Sequence, residues 1–314
     1  MAETKPRRPV ITVIIPAKNA EKTLPKAIES VKKQTFKRTE LLIIDDGSSD
    51  ATGEIAEKTE GAKVIHTEGV GISEARNIGV KTAEGLYIFF LDADDWIEPD
   101  TLDDLYDLAW DLNADMAMTG TVRETEDGVV IDETDAPKVK TAGRERYLSW
   151  YGKENGAEYV RVWGKLFDRR LLENVTFPKG RRNEDVFVFV DLYERLNTAA
   201  FSSRHGYHYV QTENSIMRGK PDEHTFDCVD AAAHVFDRFQ ETDRTALLPA
   251  AEGKIYAAMK RLPARGDLAL EPYFCRAEET LEKRIQTLKA LHLYSLRSHF
   301  RDWIFLHHFR KDKT

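Results

Sequence analysis

Between residues 10 and 121 the sequence alternates short apolar runs with helical stretches, and this alternation constrains the fold more than any other feature. The apolar runs are VITVIIP, ELLIID, KVIH, LYIFFLD and ADMAMTG, and amphipathic segments such as EKTLPKAIESVKKQ separate them. Strands that are almost continuously Val, Ile, Leu and Phe are buried on both faces, as in a parallel sheet covered by helices. We therefore predict a doubly wound α/β sheet, in which ligands bind beyond the carboxyl ends of the strands.

The pattern changes after residue 122 and again after residue 218. Residues 123–218 combine polar loops with an apolar VWGKLF run, a helical DVFVFVDLYERL run and a strand-like HGYHYVQ run. We interpret them as the second half of the domain that residues 1–122 begin. Residues 219–314 are predicted to form a C-terminal helical region, because apolar side chains recur there at helical spacing. These side chains are Phe226, Val229, Ala233, Phe236 and Phe239.

The bulk composition narrows the functional classes. The net charge of -8 argues against nucleic acid as the partner, since binding to a phosphate backbone needs a basic surface. It does not exclude one diphosphate held through a metal. Cys228 and Cys275 lack the spacing of a zinc site or of a redox pair, which favours a reducing compartment. No apolar run approaches the roughly 20 residues that span a bilayer, so we expect a soluble, cytoplasmic protein.

Three carboxylates follow the fourth apolar run, in YIFFLDADDW. Asp92, Asp94 and Asp95 repel one another, and a low dielectric strengthens the repulsion, so the cluster costs stability unless a cation is held there. One reading is a solvated turn in which Asp94 or Asp95 caps the next helix. However, Asp92 and Asp94 alternate out of a buried strand, and two carboxylates with this spacing suit Mg²⁺ or Mn²⁺ with its waters. We therefore predict a metal site.

Two further loops are predicted to lie at the same edge of the sheet. In DDGSSDAT a carboxylate at the strand end can accept from a nucleobase or a ribose, although the loop also fits a simple strand-turn-helix corner. In GVGISEARNIGV two glycines open a helix that carries Arg76 and Asn77 in its first turns. A helix N-terminus with an arginine binds phosphate, and the alternative is a surface ion pair.

Four segments in this order resemble the family 2 glycosyltransferases of the GT-A fold. They are VITVIIPAKNAEKTLPKAIESVKKQT, LLIIDDGSSDAT, GISEARNIGVKTAEGLYIFFLDADDW and RVWGKLFDRRLLENVTFPKGRRNEDVFVF. The resemblance implies a GT-A type doubly wound mixed sheet with a C-terminal helical extension. It also implies a cytoplasmic enzyme that transfers a sugar from a nucleoside diphosphate donor, usually UDP-linked, with inversion and with the help of Mn²⁺ or Mg²⁺. Residues 1–122 would form the nucleotide-sugar-binding half, and residues 123–218 the acceptor-binding and catalytic half.

The resemblance also implies individual roles. Asp92 and Asp94 would be the DxD metal pair, with Asp94 the main ligand, and Asp185 of the NED motif would be the catalytic base with Glu184 beside it. Asp45 or Asp46 would meet the uracil. The other donor-binding residues would be Pro16, Ala17, Asn19, Arg76, Asn77 and Ala93, and by its position Arg218 would close over the diphosphate.

A base is chemically reasonable at Asp185, because inversion requires a carboxylate to take the proton of the attacking hydroxyl. The residue also lies where a helix is predicted to begin, and a helix N-terminus favours the ionised form. The alternative is that Asn183, Glu184 and Asp185 only cap this helix. His205 and His208 are not assigned to the metal, because an imidazole on an aromatic-rich strand is more often a packed residue.

The chain departs from the family pattern at two points. Many relatives carry an aromatic residue where this chain has Lys18. Without an aromatic ring to stack on the base, this position does not indicate which nucleobase the donor carries. The QxxRW signature of processive synthases is missing, so we expect the transfer of one sugar or a short distributive extension. The sequence does not choose among a cell-surface glycan, wall teichoic acid and a lipid-linked saccharide as acceptor.

Two other functional classes are alternatives to a transferase. A sugar-nucleotide pyrophosphorylase would need a glycine-rich basic loop after the first strand, where this chain has PAKNAEKT. A regulatory receiver-like module also has clustered aspartates at strand ends, but it would end near the fifth strand, whereas this chain continues with a long second half.

The C-terminal tail differs in charge from the rest of the chain. From residue 285 onward it carries six Lys or Arg against two acids. Its apolar side chains at helical spacing predict a helix. This helix would rest on the inner face of an anionic membrane, or it would pack on the core or on a second copy of the chain. The apolar side chains are Leu293, Leu296, Phe300, Trp303 and Ile304.

Overall fold

The computed structural model describes residues 9–153, 156–212, 221–262 and 269–294. They fall into two compact units. The first contains the described residues of 1–147, 161–180 and 191–218, and the second those of 148–160, 181–190 and 219–314. The units interleave along the chain, and the division into residues 1–122, 123–218 and 219–314 stays a prediction.

The strands of the described residues are numbered in chain order. They are β1 (Ile11–Ala17), β2 (Thr39–Asp45), β3 (Ala62–His66), β4 (Tyr87–Phe90), β5 (Trp96–Ile97), β6 (Met116–Met118), β7 (Thr121–Thr125), β8 (Val130–Thr134), β9 (Thr141–Ala142), β10 (Lys165–Asp168), β11 (Ala199–Phe201) and β12 (Tyr207–Gln211). The helices are α1 (Leu24–Lys32), α2 (Thr52–Glu57), α3 (Ile72–Thr82), α4 (Thr101–Asp111), α5 (Arg144–Ser149), α6 (Gly156–Val160), α7 (Glu184–Tyr193), α8 (Asp227–Glu241), α9 (Leu248–Met259) and α10 (Glu271–Ala290).

An eight-stranded mixed sheet forms the centre of the first unit. Its order is β3-β2-β1-β4-β10-β6-β11-β9. The strands β1 to β4 are parallel, whereas β10 runs antiparallel between β4 and β6. Every residue of β1 is buried, as its continuous apolar sequence predicts. The prediction of a mixed α/β sheet is therefore confirmed.

Helix α3 lies very close to this sheet because it carries a glycine at the point of contact. A Cβ atom at Gly79 would lie 2.5 Å from Ile14 Cγ2 of β1. The missing side chain lets the helix axis approach the strand. This approach sets the position of the first turns of α3, which contain Arg76.

A four-stranded sheet in the order β5-β12-β7-β8 belongs to the same unit. The turn with the sequence EDG joins β7 to β8 as an antiparallel hairpin, with an irregularity between Arg123 and Glu124. Strand β12 pairs with β7 on one side and with β5 on the other. Since β5 follows the acidic DADD segment directly, this second sheet reaches the predicted metal site.

The second unit is mainly helical, and α8, α9 and α10 lie within the region predicted to be helical. The side chains that recur at helical spacing, Phe226, Val229, Ala233, Phe236 and Phe239, are all buried at the start of α8 and along it. The residues after Tyr294, on which the prediction of a terminal helix rests, lie outside the described residues. Among the helices of the described ranges, none combines the length and the apolar character that crossing a bilayer requires.

Candidate active site

Asp92 lies just beyond the buried end of β4 and forms an ion pair with a buried arginine. The Nη2 atom of Arg76 lies 2.9 Å from Asp92 Oδ1, and the Arg76 side chain is only 3% exposed. Its guanidinium also lies 6.0 Å and 5.8 Å from the ring centres of Phe90 and Phe177. The predicted contact of Arg76 with the donor stays a prediction, but in this structure its charge already offsets that of Asp92.

The surroundings of Asp94 disfavour its negative charge, which a nearby cation would stabilise. Burial, together with the negative charge of Asp92, raises the pKa of Asp94 to about 6. A carboxyl group in this state gains from any positive charge placed beside it. The cation-binding role that the sequence predicts for Asp94 is therefore electrostatically consistent with its surroundings.

Asp95 has a different task from the two acids before it. It is 1% exposed, its Oδ2 atom lies 2.6 Å from the hydroxyl of Tyr207, and its Oδ1 accepts from the backbone N–H of Val210 at 2.9 Å. Burial raises the pKa of Asp95 well above its ordinary value, against the opposing effect of these two hydrogen bonds. The Tyr207 hydroxyl also accepts from the backbone N–H of Asp92 at 3.3 Å. Asp95 and Tyr207 thus tie the acidic loop to β12.

The chemistry of this site fits a divalent cation. Asp92 and Asp94 offer the hard oxygen ligands that Mg²⁺ and Mn²⁺ prefer. Within the described ranges, no group of three or more His, Cys, Asp or Glu side chains is arranged to hold a metal ion. A metal bound here would therefore need additional oxygen ligands from a substrate or from water.

The two carboxylates at the end of β2 are both buried, and they have different partners. Asp46 accepts from the hydroxyl of Thr67 and from the backbone N–H groups of Val70 and Gly71, at 2.7, 2.6 and 2.9 Å. Asp46 therefore organises the glycine-containing loop that leads into α3. Asp45 accepts from Ser48 N–H at 3.2 Å and lies 2.8 Å from His66 Nδ1.

The loop after β1 is connected to the loop after β2. The side-chain oxygen of Asn19 accepts from Ser49 N–H at 2.9 Å, and Asn19 N–H donates to Ser48 Oγ at 3.0 Å. Asn19 has a φ of 49°, which asparagine tolerates better than most residues. Pro16 and Ala17 precede it, buried in β1. The predicted nucleotide edge is thus one connected surface at the carboxyl ends of β1 and β2.

Asn77 uses its amide for a structural task. Its Nδ2 donates to the carbonyl of Phe177 at 3.0 Å, and its Oδ1 accepts from Phe177 N–H at 2.9 Å. This pair of bonds fastens the backbone at Phe177 to α3. The contact of Asn77 with the donor stays a prediction, and so does that of Ala93, which is buried.

Asp185 and Glu184 lie in the second unit, where α7 begins as predicted. Asp185 Oδ1 accepts from Val186 N–H at 2.8 Å, and the preceding Asn183 has a φ of 59°. The segment before them is held by the buried Asp227, which accepts from Arg181 Nη1 at 2.7 Å and from Arg182 N–H at 2.8 Å. Arg218 lies outside the described residues.

The two histidines without an assigned role are engaged with acids of the four-stranded sheet and its surroundings. The His208 ring stacks on Trp96 at 3.5 Å, and its nitrogens lie 3.3 Å from Glu124 and 3.0 Å from Glu98. His205 Nε2 lies 3.0 Å from Asp135. That neither histidine binds the metal stays a prediction.

Sequence reasoning missed two residues of this edge, His66 and Tyr207. His66 ends a strand and Tyr207 lies in an aromatic strand, and neither position indicates a functional residue by itself. Each contacts an aspartate that is distant in sequence, Asp45 and Asp95 respectively. Asp45 and Asp46 were recognised as a pair, but the hydrogen bonds that separate their tasks depend on the folded loops.

Comparisons with known proteins agree with the resemblance described above. Residues 12–176 match the model of glycosyl transferase family 2. The glycosyltransferase GlyA of Streptococcus pneumoniae is 31% identical over 219 residues, which are 66% of this chain and 31% of that protein. The putative glycosyltransferase EpsH of Bacillus subtilis is 31% identical over 222 residues, 67% of this chain and 63% of that protein. The matched region thus spans less than two thirds of either relative.

Solved structures support the fold. The crystal structure of S. aureus TarS 1–349 in complex with UDP-GlcNAc has a TM-score of 0.71 and 20% sequence identity, and the match covers 88% of this chain and 81% of that one. The same protein in complex with UDP has a TM-score of 0.67 over 96% of this chain. Since the family model matches more than half of the sequence and the fold agrees, this chain belongs to glycosyl transferase family 2.

Proposed function

We propose that this chain transfers a sugar from a nucleoside diphosphate donor to a hydroxyl acceptor, with inversion and with a divalent metal bound by Asp94 and Asp92. The observation that carries the proposal is that Asp92 and Asp94 lie together at the carboxyl end of β4. Burial and the charge of Asp92 raise the pKa of Asp94 to about 6. Arg76 offsets one of these two charges, and a cation would offset the other. A bound Mg²⁺ or Mn²⁺ would stabilise the charge that develops on the leaving diphosphate.

UDP-linked sugars are the donors to examine first. S. aureus TarS, which shares the fold, is seen in complex with UDP-GlcNAc, and this supports the choice. In the proposed complex Asp45 faces the nucleobase, while Asp46 keeps the loop of residues 67–71 in place beside it.

Asp185 is the proposed base. It occupies the first turn of α7, where the helix dipole favours the ionised form that can take a proton. The proton would pass from the acceptor hydroxyl to the Asp185 carboxylate as the hydroxyl oxygen bonds to the anomeric carbon and the bond to the diphosphate breaks. Glu184, its neighbour, is the second candidate.

The metal proposal predicts that Asp94→Asn weakens nucleotide binding severely. The amide keeps the size of the carboxylate but loses its charge, so the metal site loses its main ligand. Calorimetric titration with UDP in Mn²⁺ should show affinity at least about 100-fold lower than in wild type, equivalent to roughly 3 kcal/mol. Asp107→Asn, which removes an exposed charge on α4, serves as the matched control and should bind normally. Unchanged UDP affinity in Asp94→Asn, or in wild type with EDTA, would contradict the proposal.

The base proposal predicts that Asp185→Asn folds and binds donor normally, yet transfers slowly. Loss of a positioned general base should lower kcat by roughly 10²- to 10⁴-fold. Asparagine caps a helix nearly as well as aspartate, so a capping role alone would leave turnover almost intact. Donor affinity, melting temperature and kcat should be measured on one preparation. If more than about a tenth of wild-type turnover remains, far above that expectation, Glu184→Gln becomes the next variant.

The acceptor and the cellular placement are separate proposals. Cell-surface glycan, teichoic acid and lipid-linked saccharide remain the proposed acceptor classes, and the basic tail after residue 285 is the proposed contact with a membrane or with a second copy. A cytoplasmic location also remains part of this proposal. Family membership disfavours the pyrophosphorylase and the receiver-like module as alternatives.

A further inference from the structure

His66 joins two carboxylates at the edge where the donor nucleotide is proposed to bind. Its Nδ1 atom lies 2.8 Å from Asp45 Oδ2, and its Nε2 atom lies 2.8 Å from Glu57 Oε1. Asp45 ends β2, His66 ends β3, and the two residues are direct partners in the parallel register. Glu57 ends α2. Two strand ends and a helix end are thus connected through one imidazole ring.

The two partners require both ring nitrogens to donate. An ionised carboxylate only accepts, and a neutral imidazole has a single N–H, so only the imidazolium can donate to Asp45 and Glu57 together. Hydrogen bonds from His66 to Glu57 and Asp45 raise the pKa of His66, in agreement with this geometry. Burial alone would raise the pKa of Asp45, but hydrogen bonds from Ser48 and His66 lower it overall.

Asp45 is held in one orientation by these contacts. Its Oδ2 is directed at His66, and its Oδ1 accepts from Ser48 N–H at 3.2 Å. Helix α2 packs against the same group, because a Cβ atom at Gly53 would lie only 2.9 Å from Asp45 Oδ2. His66 is 48% exposed on its side chain, whereas Asp45 is 7% exposed. The arrangement leaves an ionised, acceptor-only carboxylate whose direction is fixed from behind.

We infer that His66 is a positioning residue that fixes Asp45 as a hydrogen-bond acceptor and thereby selects donors whose base presents a ring N–H. The inference rests on the proposed function, which puts the nucleobase at Asp45. Uracil and guanine carry such an N–H on their pairing edge, whereas cytosine and adenine carry an acceptor nitrogen at the matching position. An acceptor nitrogen facing an ionised carboxylate is repelled, so cytidine and adenosine diphosphates are disfavoured.

The inference is tested by comparing UDP with CDP, which differ only on the pyrimidine edge. Calorimetry in Mn²⁺ at pH 6.5 should show that wild type binds UDP about tenfold or more tightly than CDP, as expected for a hydrogen bond to a charged group. His66→Leu should bring the UDP to CDP ratio close to one, because UDP loses a fixed acceptor and CDP is no longer held against a fixed carboxylate. His66→Asn, whose amide can still donate to Asp45, should restore much of the ratio.

A purely structural role for His66 predicts a different result. His66→Leu would then weaken UDP and CDP equally, in parallel with a lower melting temperature, and the inference would be overturned. Equal binding of UDP and CDP by wild type would overturn it as well. If wild type binds neither nucleotide in Mn²⁺, the proposed function itself fails. Measurable binding without base discrimination would therefore count against the role of His66 alone.

Discussion

The three neighbouring aspartates of the acidic loop have different interactions, which cannot be predicted from residue type alone. Asp92 is paired with the buried Arg76, Asp94 has the raised pKa, and Asp95 is hydrogen-bonded to Tyr207. The sequence predicted that the carboxylates of this cluster would need a cation. It could not predict that an arginine sixteen positions earlier supplies part of the compensation, because this depends on how closely α3 approaches the sheet.

The pair formed by Asp45 and His66 gives the protein a testable dependence of stability on pH. His66 has a raised pKa, so its contribution is complete below the ordinary value of 6.5 and is lost as the pH rises through the higher folded value. Asp45 has a lowered pKa, so its contribution is complete above the ordinary value of 3.8 and is lost as the pH falls through the lower folded value. Both contributions are therefore complete only between these two ordinary values.

We expect the melting temperature of wild type to exceed that of His66→Leu within this window and the difference to shrink as the pH rises above 6.5 through the raised folded pKa of His66. Because His66 is half exposed, solvent screens the pair, and the difference should be about 1–3 °C. Calorimetric scans in Mn²⁺-free buffers across the range provide the measurement. A difference that grows with pH would show that the imidazolium does not stabilise the fold.

At the scale of elements, β12 holds the acidic loop in place. Its Tyr207 shares one hydroxyl between Asp95 Oδ2 and the backbone N–H of Asp92, and Trp163 stacks on the Tyr207 ring at 4.5 Å. The N–H of Val210 in the same strand donates to Asp95. The strand thus fixes both ends of the DADD segment.

Tyr207→Phe should therefore affect both stability and metal-dependent binding. The substitution keeps the packing of the ring but removes the hydroxyl that bonds Asp95 Oδ2 and the Asp92 N–H, which costs about 1–3 kcal/mol of unfolding free energy. Urea unfolding should show this loss, and UDP titration in Mn²⁺ should show weaker binding as the loop loses its fixed geometry. Tyr106→Phe on α4 is the matched control. Normal UDP affinity in a destabilised Tyr207→Phe protein would limit the role of Tyr207 to the core.

Elements with continuous local patterns could be predicted from the sequence, and those defined by distant pairing could not. The strands β1, β2 and β4 follow from uninterrupted apolar runs, and the start of α7 follows from its acidic first turn. The insertion of β10 between β4 and β6 leaves no local signal, because antiparallel pairing depends on partners about 50 to 80 positions away. The tie between Asn77 and the Phe177 backbone is hidden for the same reason.

At the scale of the whole molecule, the two compact units each take residues from separated parts of the chain. Residues 148–160 and 181–190 belong to the helical unit, although residues 161–180 between them belong to the sheet unit. The three consecutive divisions of the sequence prediction follow changes in pattern along the chain, whereas compactness depends on packing between distant segments. The order of motifs could be read from the sequence because each motif is local.

The position of β10 has a consequence for synthesis of the protein on the ribosome. The strand pairs with β4 through Leu166 opposite Phe89 and Phe167 opposite Ile88, yet about 75 residues separate the end of β4 from the start of β10. At about 5–20 residues per second, a nascent chain that has completed β4 would spend roughly 4–15 s without this neighbour. During that interval β4, whose Ile88, Phe89 and Phe90 are fully buried in the finished protein, presents an open apolar edge. We therefore expect the nascent chain to be prone to aggregation during this interval of its translation.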